Sequence, residues 1–189
     1  MQPEIRISVP KWVDESVDWN RTYDSDEDRA DVAIALARRN VTEGTGGPFG
    51  AAVFVSATGR IVSAGVNLVV PLNNSSLHAE VVAFMLAQAR LGRYSLGGNG
   101  TTSHELVTSC EPCAMCLGAT LWSGVHRLVC CASGADARDL AFDEGPVFPE
   151  SWQYLADRGI EIVRGVRRDE ARAVMETYCD LDGTIYNAG

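Results

Sequence analysis

Three potential metal ligands lie at the starts of two predicted helices, and this arrangement constrains the chain more than any other feature. Cys113 and Cys116 belong to a Pro-Cys-x-x-Cys run, and His78 opens an apolar segment upstream. The three-residue spacing places both thiols on one helix face in its first turn, where the helix N-terminus favours thiolate. Two thiolates and a neutral imidazole suit a tetrahedral zinc ion whose fourth position stays open to water. We therefore predict a fold that brings the two helix starts together around one catalytic Zn²⁺ per subunit.

Glu80 follows His78 by two residues, and we predict that it transfers protons rather than binds metal. As a fourth ligand it would close the position that catalysis needs. Zinc acidifies bound water toward neutrality, and a nearby carboxylate can take that proton and deliver it to a ring nitrogen and a departing amine. A lone Cys-x-x-Cys pair also occurs in redox pairs and structural zinc sites. A non-catalytic, zinc-stabilised module therefore stays open as an alternative.

The hydrophobic pattern predicts alternating helices and strands after an irregular N-terminal arm over residues 1–24. Two β-rich runs, residues 51–57 and 61–67, predict an antiparallel hairpin. The order α-β-β-α-β-α-β-α-β-α then predicts one domain over residues 25–189. We expect a three-layer α/β/α fold in which helices cover both faces of a five-stranded mixed sheet.

The charge balance indicates the class of partner. The chain has 25 Asp and Glu against 16 Lys and Arg, a formal net charge of −9. An acidic surface repels phosphate backbones, so we expect a small neutral substrate and no nucleic-acid partner. No run approaches the roughly 18 apolar residues of a membrane span, so we expect no membrane partner. Six unevenly spaced cysteines without a secretion-signal pattern favour reduced thiols and a cytoplasmic location.

At these motifs the chain resembles the cytidine deaminase superfamily (cytidine and deoxycytidylate deaminase family), and more closely its guanine deaminase branch. The H-x-E…P-C-x-x-C pattern is typical of zinc-dependent nucleobase deaminases, whereas a Phe-Asp-Glu segment and the C-terminal tail select the branch. The similarity covers roughly residues 29–188 and agrees with the predicted sheet. The segments that carry the resemblance are residues 47–51, Asn67, residues 78–81, residues 108–119, residues 142–144 and Tyr186.

The resemblance implies the residues of a catalytic centre. His78, Cys113 and Cys116 would hold the zinc ion, in agreement with the spacing argument. Glu80 would be the main proton shuttle. Glu144 would be a second carboxylate near the exocyclic amine of the substrate and would help the amine leave.

The resemblance also implies substrate contacts. Asn67 and the Ala79 N–H would contact the edge of the base, and Phe49 would stack on its ring. Asn67 also suits a turn at a strand end, and Phe49 also suits the core. In this branch the C-terminal segment caps the active site and is exchanged between subunits. Tyr186, in the tail of residues 183–189, would then cover the pocket of a partner in a domain-swapped homodimer.

Three further side chains near the motifs have open interpretations. Trp122 ends the zinc-bearing helix, so it either lines the substrate pocket or packs in the core. Asp143 either contacts the substrate or caps a turn. Phe142 is predicted to pack in the core.

The leading hypothesis is hydrolytic deamination of guanine to xanthine and ammonia, a step of purine catabolism. The nearest alternatives use the same chemistry on ammeline or another amino-s-triazine, guanosine, cytosine or cytidine. Editing of tRNA is less expected because it requires a basic binding surface. The zinc motif selects the reaction, and residues outside it select the substrate.

Overall fold

A computed structural model describes residues 2–98 and 102–187 of the chain. The predicted loop of residues 96–103 and the predicted tail include residues 99–101 and 188–189, which lie outside the described residues. Within the described part, no helix combines the length and the apolar character that crossing a membrane requires. The elements in chain order are α1 (Lys11–Ser16), α2 (Asp26–Thr42), β1 (Gly50–Val55), β2 (Ile61–Val66), α3 (Ala79–Leu91), β3 (His104–Cys110), α4 (Ala114–Ser123), β4 (Arg127–Ala132), α5 (Gly134–Asp139), α6 (Pro149–Asp157), β5 (Glu161–Arg164) and α7 (Arg168–Asp180).

The strands form one mixed sheet in the order β2-β1-β3-β4-β5. Strand β1 pairs antiparallel with β2 and β3, whereas β4 runs parallel to β3 and β5. The predicted five-stranded mixed sheet is therefore confirmed. Its register brings four strand ends to one edge, because the start of β1 pairs with the end of β2 and lies beside the end of β3, and Cys110 at the end of β3 pairs with Ala132 at the end of β4. Ligands of open α/β sheets bind at such an edge.

Alternate side chains of β1 face the two helical layers on opposite sides of the sheet. Ala51 and Val53 pack with residues of α3 and α4, whereas Ala52 and Phe54 pack with residues of α2. Successive strand residues point to opposite faces, so each face has its own apolar surface. Helix α3 approaches β2 so closely that a Cβ at Gly65 would collide with the backbone of its first turns. Glycine at this position therefore sets the distance between the sheet and α3.

The N-terminal arm contains a helix that the sequence pattern did not predict. Helix α1 has six residues and buries Trp12 and Val13. The indole Nε1–H of Trp12 donates to Thr45 Oγ1 at 3.2 Å, so the arm packs on its own domain. So short a helix has little stability by itself. Tertiary burial of the tryptophan therefore determines its structure.

A buried ion network joins α2 to the centre of the sheet. Glu105 on β3 is fully buried and pairs with both Arg29 and Arg127. Arg127 Nη1 also lies 2.7 Å from Asp26 Oδ1. Removing one member of a buried pair leaves an uncompensated charge that costs about 3–5 kcal/mol. The network therefore opposes any shift of α2 relative to β3 and β4.

Candidate active site

The three predicted metal ligands lie together at the N-termini of α3 and α4. His78 is the N-cap residue of α3, Cys113 is the N-cap residue of α4, and Cys116 lies in the first turn of α4. Their donor atoms all lie within 4.8 Å of one another. The Leu68 N–H donates to the Leu77 carbonyl at 2.9 Å, which closes the loop after β2 and returns the chain to the sheet edge at His78.

The geometry and chemistry of these donors fit zinc. Tetrahedral zinc, with Zn–N of about 2.0–2.1 Å and Zn–S of about 2.3 Å, separates a nitrogen and a sulfur ligand by about 3.5 Å. His78 Nδ1 lies 3.5 Å from Cys113 Sγ. A hydrogen bond from the Cys116 side chain lowers the pKa of Cys113 to about 4. Cys113 is therefore a thiolate at neutral pH, which is the form that binds metal.

Two buried carboxyl groups that have no ion-pair partner among the described residues line the cavity at this cluster. Glu80 lies in the first turn of α3, and Glu144 lies in the loop between α5 and α6; the two residues are 6% and 8% exposed. Burial, reinforced by the negative charge of Cys113, raises the pKa of Glu80 to about 7 and that of Glu144 to about 8. A carboxyl group that titrates near neutral pH can both accept and donate a proton during one reaction cycle.

Two buried polar atoms at the cavity have no partner within the described residues. Asn67 is fully buried, and its Oδ1 accepts the Val69 N–H at 3.3 Å, while its Nδ2 is unpaired. The Tyr186 hydroxyl is unpaired as well. Unpaired buried polar groups are costly. Both residues line the cavity, so a polar ligand that pairs with these atoms would remove that cost.

Aromatic rings form one wall of the cavity, which has a volume of about 770 Å³. Phe49 contacts Phe142 edge to face, with ring centroids 5.1 Å apart. The rings of Phe142 and Tyr186 are 6.0 Å apart, and those of Tyr186 and His78 are 6.1 Å apart. Phe142 is also in the core, as predicted. A flat ring would therefore find aromatic faces and edges beside the metal ligands.

Asp143 and Ala79 differ in their relation to the cavity. Asp143 lines it and also caps a turn, because its Oδ1 accepts the Gly145 N–H at 2.8 Å. Ala79 is buried at the first position of α3, between two cavity-lining residues, and is not part of the wall in the described chain. Its N–H belongs to the first turn, which has no helical carbonyl to pair with.

Trp122 was expected either to line the substrate pocket or to pack in the core, and in the described chain it does neither. Its side chain is 83% exposed, so it does not pack in the core, and it lies outside the cavity among the described residues. Six helical residues separate it from Cys116, which corresponds to about 9 Å along the axis and about 240° around it. Trp122 therefore points away from the ligand face of α4.

Sequence reasoning missed three residues that build the site. Asn40 is fully buried, and its Nδ2 donates to the carbonyls of Gly47 and Asn67 at 2.8 and 2.9 Å. Glu111 lines the cavity, and an arginine on β5 pairs with its carboxylate. Asn187 in the tail also lines the cavity. An amide on the mostly apolar buried face of α2 was a usable signal for Asn40, whereas the polar tail offered none for Asn187.

The C-terminal tail covers the cavity of its own chain. Gly183 packs against the ring of Tyr178 so closely that a Cβ there would collide with it. The Tyr178 hydroxyl donates to the Thr184 carbonyl at 2.9 Å. This turn directs Tyr186 back over the cavity. The resemblance implies that Tyr186 covers the pocket of a partner, whereas in the single chain Tyr186 lies over its own cavity.

The mixed sheet, the His-Cys-Cys cluster at two helix starts and the adjacent buried glutamate define a zinc-dependent deaminase. In agreement with this, the model of the cytidine and deoxycytidylate deaminase zinc-binding region matches residues 24–132. The guanine deaminase of Bacillus subtilis (strain 168) is 39% identical over 128 residues, which are 68% of this chain and 78% of that protein.

Solved structures agree over almost the whole chain. Guanine deaminase from Nitrosomonas europaea has a TM-score of 0.88 and 40% identity, with 94% of this chain and 97% of that chain covered. A mutant of NE0047 in complex with 8-azaguanine has a TM-score of 0.90 and 39% identity, with 96% and 98% covered. The chain belongs to the cytidine and deoxycytidylate deaminase family, in its guanine deaminase branch. It is an aminohydrolase.

We predict that Cys116→Ala abolishes stoichiometric zinc binding, because two ligands hold the ion far more weakly than three. The wild-type protein should contain about one zinc per chain, and the variant less than about a tenth of that. Inductively coupled plasma mass spectrometry of dialysed protein measures the content. Cys179→Ala is the matched control, since this free thiol on α7 lies outside the cluster. Full zinc occupancy in Cys116→Ala would exclude the proposed ligand set.

Proposed function

We propose that the chain catalyses zinc-dependent hydrolytic deamination of guanine to xanthine and ammonia. One observation carries the proposal. Two buried carboxyl groups, Glu80 and Glu144, and two unpaired polar atoms, on Asn67 and Tyr186, line the cavity that holds the metal ligands. The first pair can move protons and the second can orient a polar ring. The relatives called guanine deaminase, and the similar structure that binds 8-azaguanine, support a guanine-like base as the substrate.

The metal site lies at the N-termini of α3 and α4 in this proposal. His78, Cys113 and Cys116 would hold one zinc ion per subunit. When bound, zinc supplies the Lewis acidity that makes water nucleophilic near neutral pH. Two thiolates and a neutral imidazole leave room for that water, because Glu80 sits beside the ligands and is not one of them in the proposed arrangement.

The two carboxyl groups have separate roles in the proposed reaction. Glu80 accepts a proton from the attacking water and delivers it to the ring nitrogen beside C2. The second water proton leaves with the amine, so water and guanine give xanthine and ammonia. Glu144 binds the exocyclic amine and assists its protonation. Both residues are buried, so bulk water does not compete for these transfers.

The remaining lining residues orient the base. Asn67 Nδ2 donates to an acceptor on the edge of the ring, and the Ala79 N–H assists. Phe49 stacks on the ring, and the Tyr186 side chain covers it. Asp143 closes the turn that contains Glu144. A neutral base also suits a protein whose net charge of −9 opposes phosphate-bearing substrates.

Other substrates stay as alternatives on the same chemistry: ammeline or another amino-s-triazine, guanosine, cytosine and cytidine. A cavity covered by Tyr186 favours a free base over a nucleoside, because a ribose would have to pass the tail. A non-catalytic zinc module is a different kind of alternative. It would not explain why Glu80 and Glu144 are buried beside the cluster without a cationic partner in the described chain.

We predict that guanine gives the fastest release of ammonia in a panel with guanosine, cytosine, cytidine, adenine and ammeline. The reason is that the base must fit beneath Tyr186 and pair with Asn67. A coupled assay for ammonia, at equal substrate concentrations, provides the ranking. Strong turnover of another compound without turnover of guanine would reject the substrate while leaving the reaction class intact.

We predict that Glu80→Gln lowers the turnover number by about 10²- to 10⁴-fold, because the amide cannot accept a proton from the attacking water. Zinc content should stay at the wild-type level, since Glu80 is not a ligand. Glu150→Gln on the exposed surface of α6 is the matched control and should not change turnover. Ammonia release that survives in zinc-loaded Glu80→Gln would refute the proton-transfer role.

We also propose a homodimer that acts in purine catabolism in the cytoplasm, with residues 25–189 as the deaminase domain. Met115 and Trp122 on α4 are 40% and 83% exposed, and apolar surface of this kind favours a subunit interface. The cysteines of the chain are free thiols, which suits a reducing compartment. Exchange of the tail between subunits is the alternative to closure within one chain. The turn at Gly183 supports closure within the chain.

A mixing experiment separates the two arrangements of the tail. We predict that deleting residues 184–189 abolishes turnover, and that adding the Glu80→Gln variant restores none, because each tail serves its own pocket. If tails are exchanged, a tail from the Glu80→Gln subunit completes the intact site of the truncated subunit. Random mixing would then recover roughly a quarter of the wild-type activity. Subunit exchange should be verified with differently tagged chains.

A further inference from the structure

The tail makes a second contact besides the one through Tyr186. The Asn187 side chain binds two backbone groups of the loop between α5 and α6. Its Nδ2 donates to the Ala141 carbonyl at 2.8 Å, and its Oδ1 accepts the Asp143 N–H at 2.9 Å. One amide therefore spans three residues of the loop. Such a two-point contact fixes both position and orientation, which a single hydrogen bond does not.

The loop needs this support because its backbone is unusual. Ala141 has φ of 68°, in the left-handed region, which is costly for a residue with a Cβ. Further along, the Asp143 side chain accepts the Gly145 N–H at 2.8 Å and closes a tight turn around Glu144. The Asn187 contacts join the strained residue, Ala141, to Asp143, the first residue of this turn. They therefore oppose relaxation of the loop at its weakest point.

Glu144 is held on its other side by the metal-bearing helix. Its carbonyl accepts the Ala114 N–H at 3.0 Å, directly after Cys113. The Glu144 backbone is thus held from the helix on one side and, through Asp143, from the tail on the other. The carboxyl group itself has no ion-pair partner among the described residues. Its position consequently depends on how the loop is held.

We propose that Asn187 is a positioning residue for Glu144: its paired contacts with Ala141 and Asp143 couple closure of the tail to placement of the Glu144 carboxyl group. The inference rests on the proposed function, in which Glu144 assists the departing amine. When the tail opens for a ligand to enter or leave, the loop loses this support. When the tail closes, Tyr186 covers the substrate and Asn187 sets the carboxyl group in the same movement.

The kinetic consequence differs from that of a simple lid. Loss of a lid contact weakens substrate binding and raises KM. Loss of carboxyl placement affects the step in which the amine leaves and lowers kcat. Losing both hydrogen bonds should slow this step about tenfold, which corresponds to about 1.4 kcal/mol. Asn187→Ala should therefore lower kcat about tenfold and change KM less than about twofold.

The experiment compares four variants with the wild-type protein by ammonia release and by hydrogen exchange. Asn187→Asp keeps the size and one acceptor but cannot donate to the Ala141 carbonyl, so its kcat should fall at least as far as that of Asn187→Ala. Tyr186→Leu is the lid comparison and should mainly raise KM. Leu181→Ala is the control, since this side chain at the C-cap of α7 is 63% exposed and outside the cavity, and its kinetics should match wild type.

Hydrogen exchange tests the contact without reference to turnover. Peptides that cover residues 138–147 should exchange faster in Asn187→Ala, because the Asp143 amide loses its acceptor. Unchanged exchange, or a rise in KM at constant kcat, would overturn the proposal. If wild-type protein fails to release ammonia from guanine, the proposed function fails instead. The kinetic comparison is then made on the panel substrate that turns over, and the exchange result still decides whether Asn187 orders the loop.

Discussion

The site depends on the packing of two helix N-termini against one sheet edge. His78 and Cys113 are both N-cap residues, so their donor atoms are placed by the backbone rather than by long flexible side chains. The separation of 3.5 Å between them is consequently set by how α3 and α4 sit on the sheet. Gly65 fixes the height of α3, and Pro112 and the end of β3 lead directly into α4. A change in either helix position would alter the metal geometry before any ligand was replaced.

The meeting of the α3 and α4 N-termini also concentrates acidic groups in a buried cavity. Cys113 favours thiolate, and its charge adds to burial in raising the pKa of both Glu80 and Glu144. A divalent cation on the ligand set opposes this repulsion, so metal binding and the ionisation of both glutamates are linked. Helix N-termini contribute in the same direction, since their dipoles favour negative charge. The metal that would activate water therefore also offsets the repulsion among Cys113, Glu80 and Glu144.

Sequence predicted the parts of the structure that obey short-range rules. The number of strands, the mixed sheet and the proximity of His78, Cys113 and Cys116 are confirmed because periodicity and cap positions determine them. Two helices, α5 and α6, lie between β4 and β5, where the predicted order has one. Helix α1 was missed because burial of Trp12 by distant residues stabilises it. Trp122 is exposed and lies outside the cavity of the described chain, contrary to both interpretations, because the helical phase turns it away from the ligand face of α4.

Contacts made through the backbone lay beyond sequence patterns. Asn187 binds the main chain of a loop 44 and 46 residues earlier, and main-chain acceptors carry no residue type to recognise. This division has a functional meaning. The metal ligands lie on rigid helix starts, whereas Asn67, Glu144 and Tyr186 lie in loops and the tail. Loops can change without altering the metal geometry. A chain built in this way can keep one reaction while its substrate is selected elsewhere, provided that loops and tail close together over the cavity.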